Sequence, residues 1–196
     1  MLLFMAITAE NQKSRTRKSD KGLDALLVHI ADSDKEALSV LYHQTKSAVY
    51  GFALSILRNQ PDAEDVMQDV YVKIYTSAKS YRSEGKPMAW ILTIVRNQSL
   101  MLLREGKKTE PLSDERKDLA DPHDFTGERN DRIMLEGALT ILTDEERQIV
   151  LLYSVVGYKH REIAEFMKLP LSTVLSKYQR SLSKLKKHLK EDDLHG

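Results

Sequence analysis

The sequence predicts an all-α protein: two small helical domains joined by a flexible acidic linker, the second a four-helix helix-turn-helix domain. Three observations predict it. Glycine (8) and proline (5) are too sparse among 196 residues for a turn-rich β fold. Leu, Ala, Glu, Lys and Gln, which lose little side-chain freedom in a helix, recur in long runs. Two stretches, Ser33-Asp34-Lys35-Glu36 and Thr143-Asp144-Glu145-Glu146, have the form of a capping box, in which Ser/Thr and Glu satisfy each other's backbone donors at a helix start.

The length leaves room for one large domain or two small ones, and with 41% hydrophobic and 30% charged residues the core is modest. Met1 to Thr8 is apolar but too short to span a bilayer, and no basic region precedes it. With Lys13, Arg15, Arg17 and Lys18 it is expected to form a basic, disordered tail over residues 1–21; a misassigned start codon is the alternative. No transmembrane helix is expected after it.

A first domain is expected over residues 22–106. The helix opened at Ser33–Glu36 carries Leu38, Leu41, Thr45, Val49, Phe52 and Ile56 on one stripe and ends near Arg58. Pro61 suits the first position of the next helix, where its missing donor is not needed, and Asp62, Glu64 and Asp65 in the opening turn favour the dipole. There Val66, Val70 and Ile74 bury one face, leaving Asp65, Gln68, Asp69 and Val72 on or near the other. A break over residues 80–87 precedes an apolar helix over 88–104 with Trp90, Ile94 and Leu100.

Residues 107–130 contain Pro111, Pro122, Gly127 and many acids, the composition of a polar linker. A second domain is expected over 131–191. Its first helix holds Ile133, Leu135, Ala138, Leu139 and Leu142, and its second Ile149, Val150, Leu152 and Tyr153. Gly157 can take the left-handed conformation that ends the second. Helices over 161–167 and 171–190 then complete a helix-turn-helix. The small Ala164 permits close approach, and Val174, Tyr178 and Leu185 should face inward, which turns Leu175, Ser176, Gln179 and Arg180 outward.

Net charge is only +1, but its distribution is uneven. No acid lies between Glu165 and Glu191, where Lys168, Lys177, Arg180, Lys184, Lys186, Lys187 and Lys190 fall, whereas Asp62, Glu64, Asp65 and Asp69 cluster elsewhere. This asymmetry suits a DNA-facing segment and a separate surface for a basic protein; solvated helix faces are the plainer reading. Cysteine is absent, and the six histidines show no ligand spacing, so no disulfide, metal or cofactor is expected. No phosphate-cradling loop or nucleophile elbow points to an enzyme or a small-molecule substrate. A nucleic-acid-processing enzyme is correspondingly disfavoured.

Three segments in order, DAEDVMQDVYVKIY (62–75), AWILTIVRNQSLMLLR (89–104) and LTDEERQIVLLYSVVGYKHREIAEFMKLPLSTV (142–174), resemble the extracytoplasmic-function (ECF) sigma factors of bacterial RNA polymerase, in the sigma-70 family. The resemblance implies a cytoplasmic transcription initiation factor, often serving stress responses, with core RNA polymerase and promoter DNA as partners. It also implies an anti-sigma factor, often membrane-bound, as a further partner. Asp65, Gln68 and Asp69 would meet a coiled coil of polymerase. Tyr81, Arg82, Lys86, Trp90, Arg96 and Asn97 would meet the melted −10 element, although a lone Trp on an apolar helix is also a core residue. Arg161, Ser172, Thr173, Leu175, Ser176, Lys177, Gln179 and Arg180 would meet the −35 element.

The acidic linker would run through the polymerase's basic exit channel. The chain departs from the family pattern at Met101, Lys159, Lys168, Ser172 and Leu175, where Asp, Ser or Thr, Gly, Gly and a base are usual. A Lys at a left-handed turn costs on the order of 1 kcal/mol relative to Gly. A stand-alone helix-turn-helix regulator, which has no need of the acidic face, is the alternative function.

Overall fold

Among the described residues, several helix ends are set by local chemistry, which shows why those elements start or stop where they do. The computed structural model describes the backbone of residues 12–83, 85–109 and 141–192. The described helices are α1 (Gln12–Ala31), α2 (Lys35–Leu57), α3 (Gln60–Ser77), a 3-10 turn (Ala78–Ser80), α4 (Pro87–Thr109), α5 (Asp144–Ser154), α6 (His160–Met167) and α7 (Leu171–Asp192). They fall into two compact units, one holding α1 to α4 and the other α5 to α7. The expected linker beyond Thr109 and the helix with Ile133, Leu135, Ala138 and Leu139 lie outside the described residues.

In the first unit α1 corrects the expectation of a disordered tail over residues 1–21, because the helix already begins at Gln12. Residues 12–21 contain neither proline nor glycine, so a helix anchored by the buried Leu23, Leu27 and Ile30 can propagate back through them. A second correction concerns the start of α2. Its cap is Asp34, not Ser33: the Asp34 carboxylate accepts from the backbone N–H of Glu36 (2.8 Å) and Ala37 (3.0 Å), while Ser33 adopts a left-handed φ of 69°. Arg58, at φ 56°, closes α2 by donating its N–H to the Leu54 carbonyl at 2.9 Å. Asn59 then caps α3 by accepting from Asp62 N–H at 3.0 Å. α4 runs past the expected end of the domain at 106, since Gly106 alone does not break it.

The core of this unit gathers Leu27 and Ile30 from α1, Leu41, Val49 and Phe52 from α2, Val70 and Ile74 from α3, and Ile91, Leu92 and Val95 from α4. Fully burying each such side chain contributes about 1.5–3 kcal/mol. One polar pair sits among them. The Thr45 hydroxyl donates to the Leu41 carbonyl (2.7 Å) and lies 2.8 Å from the Tyr71 hydroxyl, so neither is buried unsatisfied. Burial pushes the Tyr71 phenol above its ordinary pKa, which keeps it neutral.

The second unit opens with the capping box expected at Thr143. Its N–H donates to Glu146 Oε2 at 3.0 Å, and its hydroxyl accepts from Glu146 N–H at 3.4 Å. Gly157 takes φ 82° between α5 and α6. Lys168 takes φ 56° between α6 and α7, where Leu169 N–H donates to the Ala164 carbonyl at 3.0 Å. Leu142, Ile149, Leu152, Ile163, Ala164, Val174, Tyr178 and Leu185 are buried, which joins α5, α6 and α7 around one core.

Two ion pairs fasten α7 to α5. Lys184 Nζ lies 2.7 Å from Glu146 Oε2, and Lys177 Nζ lies 2.9 Å from Glu145 Oε2. The Glu146 side chain is only 4% exposed. Burial alone would push its pKa up; the hydrogen bonds from Lys184 and Thr143, with the Lys184 charge, outweigh this and hold it below the ordinary value.

Candidate functional site

The buried stripe Ala63–Val66–Val70–Ile74 fixes the rotation of α3. It leaves Asp65, Gln68 and Asp69 exposed together, as the helical period requires, with Val72, 64% exposed, one residue from the stripe's next turn. This acidic row forms one rim of a groove of about 310 Å³. Gln98, Met101 and Glu105 of α4 form the opposite rim, with Val66 and Leu102 between them. Carboxylates and an amide facing an exposed Met can accept hydrogen bonds from Arg or Lys while offering an adaptable apolar contact. The α4 rim was not legible as a site in the sequence, because nothing local pairs residues of helices so far apart.

The break after α3 is built by the 3-10 turn, from which Tyr81 N–H donates to the Ala78 carbonyl at 3.0 Å. The Tyr81 hydroxyl donates to the Asp24 carboxylate on α1, and its ring packs against Trp90 with centroids 5.1 Å apart. Both rings are half-buried, so Trp90 is neither a full core residue nor an open one. Arg82 and Lys86 are exposed in the loop, and Gly85 takes the left-handed φ of 71° that helps turn it. Asn97 is exposed two turns beyond Trp90 on the same face of α4, whereas Arg96 is half-buried. The tie to Asp24 had no sequence signal, since it joins residues 57 positions apart.

In the helix-turn-helix, α6 starts without a side-chain cap from Lys159. Instead Lys159 N–H donates to Glu162 Oε2 at 2.7 Å, half of a capping box. Arg161 is exposed on this helix. Inward Val174 and Tyr178 leave Ser172, Leu175, Ser176, Gln179 and Arg180 exposed on α7, while Thr173 is half-buried. Lys177 does not join them. It is half-buried, and its ammonium lies 2.9 Å from Glu145 of α5. Tyr153, His160 and Tyr178 form an aromatic cluster with each centroid pair 4.7 Å apart. Burial pushes the Tyr178 phenol up to about 12 and holds His160 below its ordinary value.

Comparison with known proteins decides the family. The sigma-70 region 2 family matches residues 41–109, and the sigma-70 region 4 family matches residues 132–185. The ECF RNA polymerase sigma factor SigK of Mycolicibacterium vanbaalenii is 31% identical over 180 residues, which cover 85% of this chain and 89% of that protein. The chain belongs to the ECF sigma factors.

The solved structure of CnrH in complex with the cytosolic domain of CnrY matches with a TM-score of 0.63 at 21% identity, over 87% of this chain and 99% of that one. The sigma factor RpoE of Bartonella quintana, in complex with the anti-sigma factor NepR, matches with a TM-score of 0.56 at 21% identity, over 76% and 94%. At that identity both speak for the fold. ECF sigma factors are transcription initiation factors with DNA-binding regions and not enzymes in their own right. In this sigma factor the region 2 match takes in most of α2 and all of α3 and α4, with the acidic row and the aromatic break. The region 4 match takes in α5, α6 and α7 as far as Leu185. The described part of α1 precedes both matches, yet it supplies the Asp24 that holds Tyr81. No helix among the described residues is long and apolar enough to cross a membrane.

Proposed function

We propose that this sigma factor binds core RNA polymerase through α3 and directs it to promoters, where it captures melted −10 DNA and duplex −35 DNA. The observation that carries this reading is the contrast between two exposed surfaces: Asp65, Gln68 and Asp69 on α3, and Arg180 with its polar neighbours on α7, which carries no acid before Glu191. The groove beside Asp65 and Asp69 suits a basic helix with apolar side chains, the kind of element a polymerase coiled coil presents.

At the break, the Tyr81–Trp90 pair gives an unpaired base a stacking surface, with Arg82, Lys86, Arg96 and Asn97 available to phosphates and base edges. Unstacking a base costs about a few kcal/mol, and binding the extruded base offsets that cost. Arg161 and the outward face of α7, comprising Ser172, Leu175, Ser176, Gln179 and Arg180 with Thr173 at its edge, enter the major groove of the −35 duplex. Residues 22–106 and 131–191 act as the two binding domains, and the acidic stretch between them follows the polymerase channel. The work is cytoplasmic, where promoter DNA lies. An anti-sigma factor holds the protein inactive by covering these surfaces; RpoE, solved with NepR, is the relevant precedent.

Asp65→Ala combined with Gln68→Ala should weaken binding to core polymerase in a pull-down while leaving the helical circular dichroism unchanged. Normal holoenzyme assembly by the double variant would remove α3 from the interface. In vitro transcription with core polymerase on genomic DNA tests the whole proposal. Sequence-specific DNA binding by a chain that ignores core polymerase would instead favour the stand-alone regulator.

A further inference from the structure

The outward face of α7 is not uniformly polar. Among the described residues of this helix, Val174, Tyr178 and Leu185 are buried, but Leu171 is 37% and Leu175 is 42% exposed. The helical period sets Leu171, Leu175 and Gln179 in one row, beside a second row of Ser172, Ser176 and Arg180. The second row begins with two of the shortest polar side chains. The Ser176 hydroxyl folds back to donate to the Thr173 carbonyl at 3.0 Å, and Arg180 Nε donates to the Ser176 carbonyl at 3.2 Å. Short neighbours let the helix backbone approach a groove floor, so that Leu175 is the side chain of its turn with the greatest apolar reach.

Residues 166–190 contain no acid, and Lys168, Arg180 and Lys186 are exposed, so the neighbourhood of Leu175 is complementary to phosphate. In the major groove the only apolar group on a base edge is the thymine C5-methyl. We infer that Leu175 reads a thymine methyl in the −35 element, so that this sigma factor selects a T·A pair there by apolar contact. This inference rests on the proposed placement of α7 in the major groove, and it adds the determinant and the base that it reads. Leu175 does no work in the core, which frees it for this role.

The test uses full-length protein assembled with core polymerase. The preferred −35 sequence is first selected from promoters randomised over that segment. Each thymine of the selected sequence is then replaced by deoxyuridine, which removes the methyl and nothing else. One replacement should lower holoenzyme affinity about fourfold, the worth of roughly one buried methyl group. The same replacement should have no effect on holoenzyme carrying Leu175→Ala, whereas Leu175→Met should keep the sensitivity. Equal sensitivity in wild type and Leu175→Ala, or none at any thymine, would overturn the inference while leaving α7 as the promoter reader. A selection that returns no −35 preference would overturn both the placement of α7 and the role of Leu175.

Discussion

The acidic helix α3 and the basic helix α7 look alike in sequence, each a charged run over an apolar stripe, but they use their charges differently. On α3 the row Asp65, Gln68 and Asp69 stands outward along a groove. On α7 two of the lysines turn back: Lys177 meets Glu145 and Lys184 meets Glu146, so part of the basic run holds the unit together. A charged run therefore says little about binding until its partners within the fold are known. The difference also separates stability from recognition on α7, where Arg180 faces outward and Lys177 faces α5.

The largest expected effect is at Lys184. Replacing it by Ala strands the Glu146 carboxylate, and because Lys184 is 43% exposed the cost should lie below that of a fully buried pair, at about 2–3 kcal/mol. Urea denaturation checks this, and adding Glu146→Gln should recover part of the loss. A cost no greater than that of a surface pair would show that Glu146 is readily rehydrated.

Next come two basic residues three positions apart. Arg180→Ala should weaken promoter binding by about 1–3 kcal/mol and relax selectivity if it reads a base. Uniform weakening across sequences would make Arg180 a phosphate contact. Lys177→Ala should leave promoter affinity nearly unchanged and cost stability by no more than about 1 kcal/mol, since Glu145 is half exposed. Equal losses of promoter affinity for the two variants would erase the distinction drawn on α7.

The smallest effect is on pH dependence, and it should appear in the second unit. Burial holds His160 below its ordinary 6.5, so the unfolded chain binds the proton more readily and stability falls as pH drops below about 6.5. Glu146 is held below its ordinary 4.5, so its contribution is present above that value and is lost as pH falls through the lower folded value. Both shifts act in the same direction. Thermal melts of the protein from pH 8 to well below pH 4 should show a two-stage decline, and His160→Phe should remove the first stage. Stability that rises on acidification from pH 7 to pH 5.5 would contradict the lowered pKa of the half-buried His160.

Much of the architecture was legible because it is written at short range. The inward stripe of α3, the Thr143 capping box and the left-handed position of Gly157 depend on residues within a turn or two of each other. The same local logic placed Leu175, Gln179 and Arg180 on the outer face. It failed where two local solutions competed: Ser33 and Asp34 are both good caps, and the fold used Asp34. It also failed at α1, where a basic composition suggested disorder but an apolar anchor beyond it extended the helix back to Gln12.

By itself, then, the sequence determined the helical class, the phase of each amphipathic face and membership of the ECF family, since periodicity and motif spacing are properties of neighbouring residues. Tertiary structure alone decided that Tyr81 would rest between Asp24 and Trp90, that Met101 and Glu105 would face the acidic row, and that Lys177 and Lys184 would serve α5. Lys184 and Glu146 are 38 positions apart, and only the packing of Val174, Tyr178 and Leu185 against the α5 core brings their charges within hydrogen-bond reach.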